Sequence, residues 1–345
     1  MNVAMNLNKK HPLYQEDLEN ALSIKGLDSL RGKSILVTGA TGLIGVHLID
    51  ALMLWGDVKV YAVGRNKNKA AIRLGEYFDN PNFAFIEQDV CQPFPEDLQA
   101  DYIIPLASNT HPMAYSNLPV ETIMANVKGT EHALELARRC KAVVLYPSSV
   151  EIYGNSESPN LITEDYSGNL NLSTARACYT ESKRVCEAMC QSYLAEYGVE
   201  TKIVRLSRVF GPTMLESDSK ASSQFIKKAI LGEDIVLKSK GDQFFSYIYV
   251  TDAVAAMLFV LFNGVNGEAY NISSESCNIH LREFAKICAE HNRKTVVFEL
   301  PSLVEMKGYS VAVNAVLDNG KLKALGFSPR YGMKEAIEKT IAILK

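Results

Sequence analysis

The stretch SILVTGATGLIG, residues 34–45, decides the fold of this 345-residue chain. Its first residues are apolar and β-branched, which predicts a buried strand, and residues 41–54 then have the apolar spacing of a helix. Gly39, Gly42 and Gly45 predict a tight turn whose backbone can approach a pyrophosphate at the positive end of that helix. A glycine triplet is a weak signal alone, but between a strand and a helix it favours a dinucleotide-binding loop over a plain turn.

Outside this stretch, strands and helices alternate as far as residue 211. Predicted strands cover 58–64, 82–89, 100–107, 141–149 and 200–211, and predicted helices cover 120–140 and 178–198. Strands that alternate with helices form a parallel sheet with helices on both faces. We therefore expect an α/β protein: a Rossmann-type doubly wound parallel sheet with a smaller, mixed α/β substrate-binding lobe.

The alternation also predicts how the chain divides into domains. Residues 1–30 are predicted to form an N-terminal arm with one short amphipathic helix. The dinucleotide-binding domain is predicted over 31–210 and 244–272, and the substrate-binding lobe over 211–243 and 273–345. Ligands of such folds bind beyond the carboxyl ends of the strands, so the lobe would supply much of the substrate site.

Composition narrows the partners of the protein. A net charge of -3 and the absence of a dense Lys/Arg run exclude nucleic acid as an expected partner. The longest apolar run, 253–262, is too short to cross a bilayer, and the first residues do not form a secretory signal. Seven cysteines without a CxxC pair predict reduced thiols in the cytoplasm, and the six histidines lack metal-ligand spacing. We expect a small-molecule substrate, no membrane and no metal.

The end of the second predicted strand bears on the choice of cofactor. An acid at this place would bind free ribose hydroxyls, but Arg65 follows Gly64 here. A cation can hold a 2′-phosphate, so we expect NAD or NADP, with NADP slightly favoured. The alternative is that Arg65 is only a solvated surface charge. Asp89, after the third strand, is placed to reach the adenine.

A tyrosine and a lysine four residues apart provide the candidate catalytic groups. In CYTESKR, residues 178–184, Tyr179 and Lys183 share one helix face. A nearby ammonium stabilises a phenolate and lets a tyrosine act as a base, and Ser149 would hydrogen-bond the same hydroxyl. An ordinary surface tyrosine is the alternative, but the glycine loop upstream makes a chance pairing a poor explanation.

With GATGLIG (39–45) and SSVEIYG (148–154), these motifs resemble those of the extended short-chain dehydrogenases/reductases, in the nucleotide-sugar epimerase/dehydratase group. The resemblance covers nearly all of residues 31–345. LASNTHPMAY, NVKGTEHAL, RACYTESKRVCEA and RVFGPTM look most like UDP-glucuronate decarboxylases and their dehydratase relatives. The resemblance implies a Rossmann domain that holds NAD or NADP, a cap for a nucleotide diphosphate sugar, and a catalytic Ser149, Tyr179 and Lys183.

The resemblance also implies a homodimer and a set of contacts. Helices near 119–139 and 179–197 would pair across a two-fold axis. Their apolar residues include Val127, Leu134, Val185 and Met189. Cofactor contacts are expected from Gly39, Thr41, Gly42, Leu43, Ile44, Gly45, Arg65, Asp89, Val90, Leu106, Ala107, Ser108, Asn126, Tyr179 and Lys183. Substrate contacts are expected from His111, Ser149, Arg208 and Gln224.

Glu151 bears on the reaction. The resemblance implies that Tyr179 takes a proton from the hydroxyl at carbon 4 of the sugar while the cofactor takes the hydride. Similar 4,6-dehydratases use a glutamate at this place to remove the carbon 5 proton, decarboxylases carry one too, and simple epimerases usually lack it. Along an extended strand end, Ser149 and Glu151 would point to the same side. Glu151 is therefore predicted to be catalytic, although a structural carboxylate is the alternative.

Four reactions or roles stay open at this point. A 4,6-dehydratase is favoured, followed by a UDP-glucuronate decarboxylase, and then by a 4-epimerase or a ketosugar reductase. A non-catalytic, cofactor-binding regulator is the alternative from another class. The intact set of Ser149, Tyr179 and Lys183 disfavours a regulator, because a sensor has no need of it.

The chain departs from the family pattern at four positions near the expected substrate. Val150 stands where dehydratases have an acid and decarboxylases a hydroxyl. Phe245 and Thr213 stand where the decarboxylase pattern has arginines, and Arg208 replaces an asparagine. Such arginines normally contact phosphate or a sugar carboxylate, so positive charge is expected to come from elsewhere. The candidates are Arg208, Lys220 and Lys238.

Overall fold

A seven-stranded parallel sheet forms the centre of the protein. The computed structural model describes residues 7–110, 112–154, 161–299 and 314–345, with side chains for all of these except 112–114. The strands of this sheet are β1 (Lys33–Thr38), β2 (Val58–Gly64), β3 (Phe83–Glu87), β4 (Tyr102–Pro105), β5 (Val143–Ser149), β6 (Thr201–Leu206) and β10 (Ala269–Ile272). Their order is β10-β6-β5-β4-β1-β2-β3, and each neighbouring pair is parallel. The predicted α/β class and the Rossmann-type sheet are confirmed.

Helices cover both faces of the sheet, as parallel strands require. One face carries α1 (Pro12–Leu22), α2 (Leu43–Trp55) and α8 (Val250–Asn263), and the other carries α5 (Pro119–Cys140) and α6 (Ala177–Tyr197). Two short helices, α3 (Lys67–Leu74) and α4 (Pro112–Asn117), follow β2 and β4. Helix α8 is buried on every side: each residue from Val250 to Leu261 is buried, and all of these except Thr251 and Asp252 are apolar. Within the described ranges, no helix is both long and apolar enough to cross a membrane.

The segment predicted as an arm packs into the core through α1. Tyr14 and Leu18 are buried, and the helix contacts both α2 and α8. The Tyr14 hydroxyl donates to Asp50 on α2 at 2.6 Å, and Tyr249 donates to Asp17 at 2.5 Å. These buried hydrogen bonds attach α1 to α2 and to Tyr249, the residue before α8.

A second, smaller sheet lies beyond the carboxyl edge of the first. It contains β7 (Arg208–Phe210), β9 (Phe244–Tyr249), β11 (Asn278–His280) and β13 (Asn314–Ala315). Strand β9 is central: it is parallel to β7 and β13 and antiparallel to β11. A separate pair joins β8 (Ile235–Leu237) to β12 (Val296–Phe298). The helices here are α7 (Ala221–Leu231), α9 (Leu281–Glu290), α10 (Gly320–Leu325) and α11 (Met333–Leu344).

The strand β9 joins this second sheet, whereas α8 and β10 that follow it return to the main sheet. The exact domain boundaries therefore stay a prediction. The candidate site lies where β5 and β6 end side by side, with Ser149 paired to Leu206. Because both strands leave the sheet at one edge, the residues that follow them, Glu151 and Arg208, come together.

Candidate active site

The glycine turn after β1 has the backbone geometry that a phosphate-binding loop needs. Gly39 has a φ of +64°, and a Cβ there would lie 2.8 Å from the backbone nitrogen of Ala107. A Cβ at Gly45 would lie 2.5 Å from the carbonyl oxygen of Gly39. Helix α2 begins at Leu43 after Gly42, with no side-chain cap and no acid in its first turn. The open N–H groups and the positive end of the helix dipole therefore suit the pyrophosphate of a dinucleotide.

The other residues expected at the cofactor surround this turn and the adjacent strand ends. Thr41, Leu43 and Ile44 are half-buried in and after the turn, as are Leu106, Ala107 and Ser108 after β4, whereas Val90 is buried. Asn126 on α5 is also buried; its Nδ2 donates to Ser182 of α6 at 2.8 Å. The Oδ1 of Asn126 has no hydrogen-bond partner among the described residues. An orphaned buried acceptor beside α6 is a candidate contact for a bound cofactor.

The adenosine end of the expected cofactor site is rich in cations. Arg65 is exposed and forms an ion pair with Glu121 at 2.8 Å, and this contact raises the pKa of Arg65. Burial lowers the pKa of Lys69, and the nearby guanidinium groups of Arg73 and Arg65 lower it further. Asp89 is exposed, and its Oδ1 accepts a hydrogen bond from the Cys91 nitrogen at 2.9 Å. Arg65 would have to leave Glu121 to bind a 2′-phosphate fully.

Ser149, Tyr179 and Lys183 come together where β5 ends against α6. Burial raises the pKa of Tyr179 to about 12, hydrogen bonding with Ser149 lowers it, and the Glu151 carboxylate raises it. Lys183 is buried, and its Nζ donates to the Pro147 carbonyl of β5 at 2.7 Å. Burial lowers the pKa of Lys183 to about 8. The expected trio is therefore adjacent, with the ammonium held by the strand rather than by the phenol.

Two side chains that were not predicted from the sequence lie near Tyr179: the aromatic Tyr115 and the cationic Arg176. The ring of Tyr115 stacks on Tyr179 with 4.9 Å between centroids and an interplanar angle of 28°. The Arg176 guanidinium lies 5.6 Å from the centroid of Tyr115. Two features of the sequence could have indicated them. Arg176 lies three residues before Tyr179 at the start of the same helix, and Tyr115 ends the LASNTHPMAY motif. The stack restricts the orientation of the Tyr179 ring.

Glu151 lies between two arginines. One carboxylate oxygen is 3.2 Å from Nη2 of Arg176, and the other is 3.7 Å from Nη2 of Arg208. The expectation of an extended chain through Glu151 was wrong, because β5 ends at Ser149 and a 3₁₀ turn begins at Val150. The backbone nitrogen of Glu151 donates to Ser149 Oγ at 3.2 Å, and this bond begins the turn. The carboxylate nevertheless lies near enough to Tyr179 to affect its pKa.

Among the other residues expected to contact the substrate, Arg208 lies beside Glu151. It begins β7, and its guanidinium stacks on the ring of Phe245. Gln224, on α7, donates through Nε2 to the carbonyl of Asp218 within its own lobe. His111 lies outside the described residues. Within the part of the chain that the structure describes, no group of three or more His, Cys, Asp and Glu side chains could hold a metal ion.

Thr213, where the family pattern has an arginine, connects the second lobe to the glycine turn. Its hydroxyl donates to the carbonyl of Leu43, the first residue of α2, at 2.7 Å. Arg73 of α3 donates to the Thr213 carbonyl at 2.5 Å. The position therefore serves as a link between lobes, and nothing at residue 213 itself supplies positive charge.

Comparison with known protein families gives one clear match. The model of the NAD dependent epimerase/dehydratase family matches residues 35–273. Among curated relatives, UDP-glucuronic acid decarboxylase 1 of Danio rerio is 31% identical over 332 residues, which is 92% of this chain and 74% of the relative. UDP-glucuronic acid decarboxylase 1 of Xenopus tropicalis is 35% identical over 248 residues, 70% of this chain. In that match the chain spans only 57% of the relative's length.

Solved structures give the same fold at lower identity. The dTDP-glucose 4,6-dehydratase of Streptomyces venezuelae, with NAD bound, has a TM-score of 0.77 and 22% identity, covering 90% of this chain and 96% of its own. The UDP-glucuronic acid 4-epimerase of Bacillus cereus, in complex with UDP-glucuronic acid and NAD, has a TM-score of 0.77 and 21% identity. That match covers 90% of this chain and 98% of the epimerase. At these identities the similarity establishes the fold alone.

Proposed function

The chain belongs to the NAD dependent epimerase/dehydratase family, and from this premise we propose that it decarboxylates a nucleotide-linked uronic acid after oxidation at carbon 4. Curated relatives that are 31% to 36% identical carry the name UDP-glucuronic acid decarboxylase. The observation that carries the proposal is the position of Glu151 between the guanidinium groups of Arg176 and Arg208.

This arrangement favours decarboxylation over dehydration for a physical reason. A 4,6-dehydratase needs a base to remove the proton from carbon 5, and the Glu151 oxygen that lies 3.2 Å from Arg176 would have to break that contact to serve as one. Decarboxylation needs no base at carbon 5, because the bond between carbon 5 and the carboxylate supplies the electron pair. The two arginines also suit a sugar that carries a carboxylate, since guanidinium groups bind carboxylates through paired hydrogen bonds.

In the proposed reaction Tyr179 accepts the proton of the hydroxyl at carbon 4, and Ser149 orients both hydroxyl groups. A bound nicotinamide supplies the hydride acceptor for carbon 4. Carbon dioxide leaves from carbon 5, and the electron pair of the broken bond enters the carbon 4 ketone as an enolate. Carbon 5 then takes up a proton, and the hydride and the proton held by Tyr179 would return to carbon 4 and its oxygen, so that the cycle needs no outside oxidant. Burial raises the pKa of Tyr179 to about 12, so the phenol needs added positive charge nearby to act as a base. Lys183, one turn along α6, is the residue proposed to contribute it.

Loss of water across carbons 5 and 6, after oxidation at carbon 4, is the second candidate. It is favoured by the position of Glu151, whose backbone nitrogen donates to Ser149 Oγ and whose carboxylate raises the pKa of Tyr179. For this chemistry Glu151 would have to leave at least one arginine to act as the carbon 5 base.

Mass detection of products distinguishes these reactions. The purified protein is incubated with cofactor and with UDP-glucuronate, dTDP-glucose or UDP-glucose. We expect the mass of carbon dioxide to be lost from UDP-glucuronate. Loss of water from a glucose nucleotide would instead identify a dehydratase, and unchanged mass with altered mobility an epimerase. Tightly bound cofactor without turnover of any sugar would support a non-catalytic regulator.

We also propose that the protein works as a homodimer in a reducing compartment such as the cytoplasm. Of the residues expected on the pairing helices, Leu134 is buried in the core of its own chain, whereas Val185 is 47% exposed. The exposed apolar side chains on α5 include Val120, Ile123 and Met124. A face of this kind on two adjacent helices suits a second copy of the chain. Light scattering tests the pairing: a stable monomer at micromolar concentration would exclude it, and an aspartate at Val185 should weaken a dimer.

A further inference from the structure

Two departures from the family pattern, far apart in sequence, are in contact in the structure. The chain has Arg208 and Phe245 at positions where the resemblance described above implies an asparagine and an arginine. The guanidinium carbon of Arg208 lies 3.5 Å from the centroid of the Phe245 ring. The contact follows from the pairing of β7 with β9, in which Arg208 is opposite Tyr247, two residues from Phe245. Arg208 of β7 therefore places a guanidinium group against position 245 of β9, where the side chain is a phenylalanine.

The Arg208 guanidinium has donors to spare. Its Nη1 is buried and has no hydrogen-bond partner within the described part of the chain. Its Nη2 is 3.7 Å from Glu151, which is beyond a hydrogen bond, whereas Arg176 approaches Glu151 to 3.2 Å. Stacking on Phe245 holds the plane of the guanidinium group. A buried donor without a partner costs free energy, so a ligand that accepts its hydrogen bonds is favoured.

We propose that Arg208 is the oxyanion receptor of the substrate site. It replaces the arginine missing at position 245, and it exchanges its weak contact with Glu151 for a carboxylate or phosphate oxygen of the substrate. Arg176 keeps the other oxygen of Glu151, so the exchange uncovers only the oxygen that faced Arg208. This inference rests on the proposed function, because it takes the nucleotide sugar as the ligand.

The oxyanion has two possible sources, the diphosphate or the sugar carboxylate, and three ligands distinguish them. Calorimetric titration is carried out with UDP, UDP-glucose and UDP-glucuronate, on protein that retains its cofactor. A diphosphate contact makes all three bind more weakly to Arg208→Asn. A carboxylate contact weakens UDP-glucuronate alone. Either result supports the proposal and identifies the group that Arg208 binds.

The variants are chosen so that position, and not merely charge, is tested. Arg208→Asn should lose about 10- to 100-fold in affinity, the range of one charge-assisted hydrogen-bonded contact. The double variant Arg208→Asn with Phe245→Arg returns both positions to the family pattern and should recover most of that loss. Arg282→Asn is the control, because this arginine is exposed and pairs with Asp242 on the surface. It should bind all three ligands as the wild type does.

Affinity of Arg208→Asn within twofold of the wild type for every ligand would overturn the proposal. A double variant as weak as the single one would overturn the relocation of the guanidinium group. If Arg208→Asn does not fold, Arg208→Gln removes the charge with a smaller loss of side-chain volume, and wild-type affinity there would equally overturn it. Wild-type protein that binds nucleotide sugars but turns none over would refute the proposed function alone. Binding of none of them would refute both.

Discussion

Replacing Glu151 by glutamine separates the two leading reactions. The amide keeps the size of the side chain but removes its negative charge, and so it removes the ion pairs with Arg176 and Arg208. The side chain of Glu151 is 26% exposed, so solvent screens both pairs, and each contributes less than about 1 kcal/mol to folding. The variant should therefore stay folded. The pKa of Tyr179 should fall, because the carboxylate raises it in the wild type.

The two mechanisms predict different rates for Glu151→Gln. If the enzyme decarboxylates, release of carbon dioxide from UDP-glucuronate should change less than about tenfold, because no base acts at carbon 5. If Glu151 is the carbon 5 base of a dehydratase, product formation should fall by about 10²- to 10⁴-fold. In that case the reduced cofactor would still form, because the oxidation at carbon 4 precedes the step that fails.

The assay follows product mass and nicotinamide absorbance in a single turnover. Glu181→Gln is the matched control, since Glu181 also faces an arginine, Arg184, at 3.8 Å and is 34% exposed. It should leave the rate unchanged. A loss of more than a hundredfold in carbon dioxide release from Glu151→Gln, with reduced cofactor accumulating, would refute the reasoning. Glu151 would then be required after oxidation, and its ion pairs would not prevent it from acting.

Three further predictions concern the base, the cofactor and acid stability. Tyr179→Phe should lower turnover by at least about a hundredfold while the cofactor stays bound, as its fluorescence would show; activity closer to the wild type would show that another group is the base. Arg65 should make NADP bind more tightly than NAD, and a smaller dissociation constant for NAD would contradict this. Burial lowers the pKa of His47 to about 3, so the unfolded chain alone takes up its proton as the pH falls below 6.5. His47 should therefore cost about 2 kcal/mol of unfolding free energy between pH 7 and pH 5, and urea unfolding of His47→Gln should lack that loss.

The sequence alone was enough for the strands of the main sheet, the glycine turn and the placement of Tyr179 and Lys183 on one helix. These features depend on short-range geometry: apolar runs that repeat with helices, a turn that only glycine fits, and a helical spacing of four residues. Gly39, with its positive φ, and the adjacency of Tyr179 and Lys183 on α6 are examples. Each is determined within a few residues of chain, so no knowledge of distant contacts is needed.

Only the tertiary structure decided what surrounds those residues. The contacts of Glu151 with Arg176 and Arg208 join three segments whose distance depends on the pairing of β5 with β6 and of β7 with β9. Burial was equally undetermined: Leu134 and Val185 have similar apolar character, yet one lies in the core and the other faces solvent. The direction of the Tyr179 pKa also depends on burial, which raises it more than hydrogen bonding with Ser149 lowers it. Packing between distant segments sets burial and charge, and spacing along the chain does not encode it.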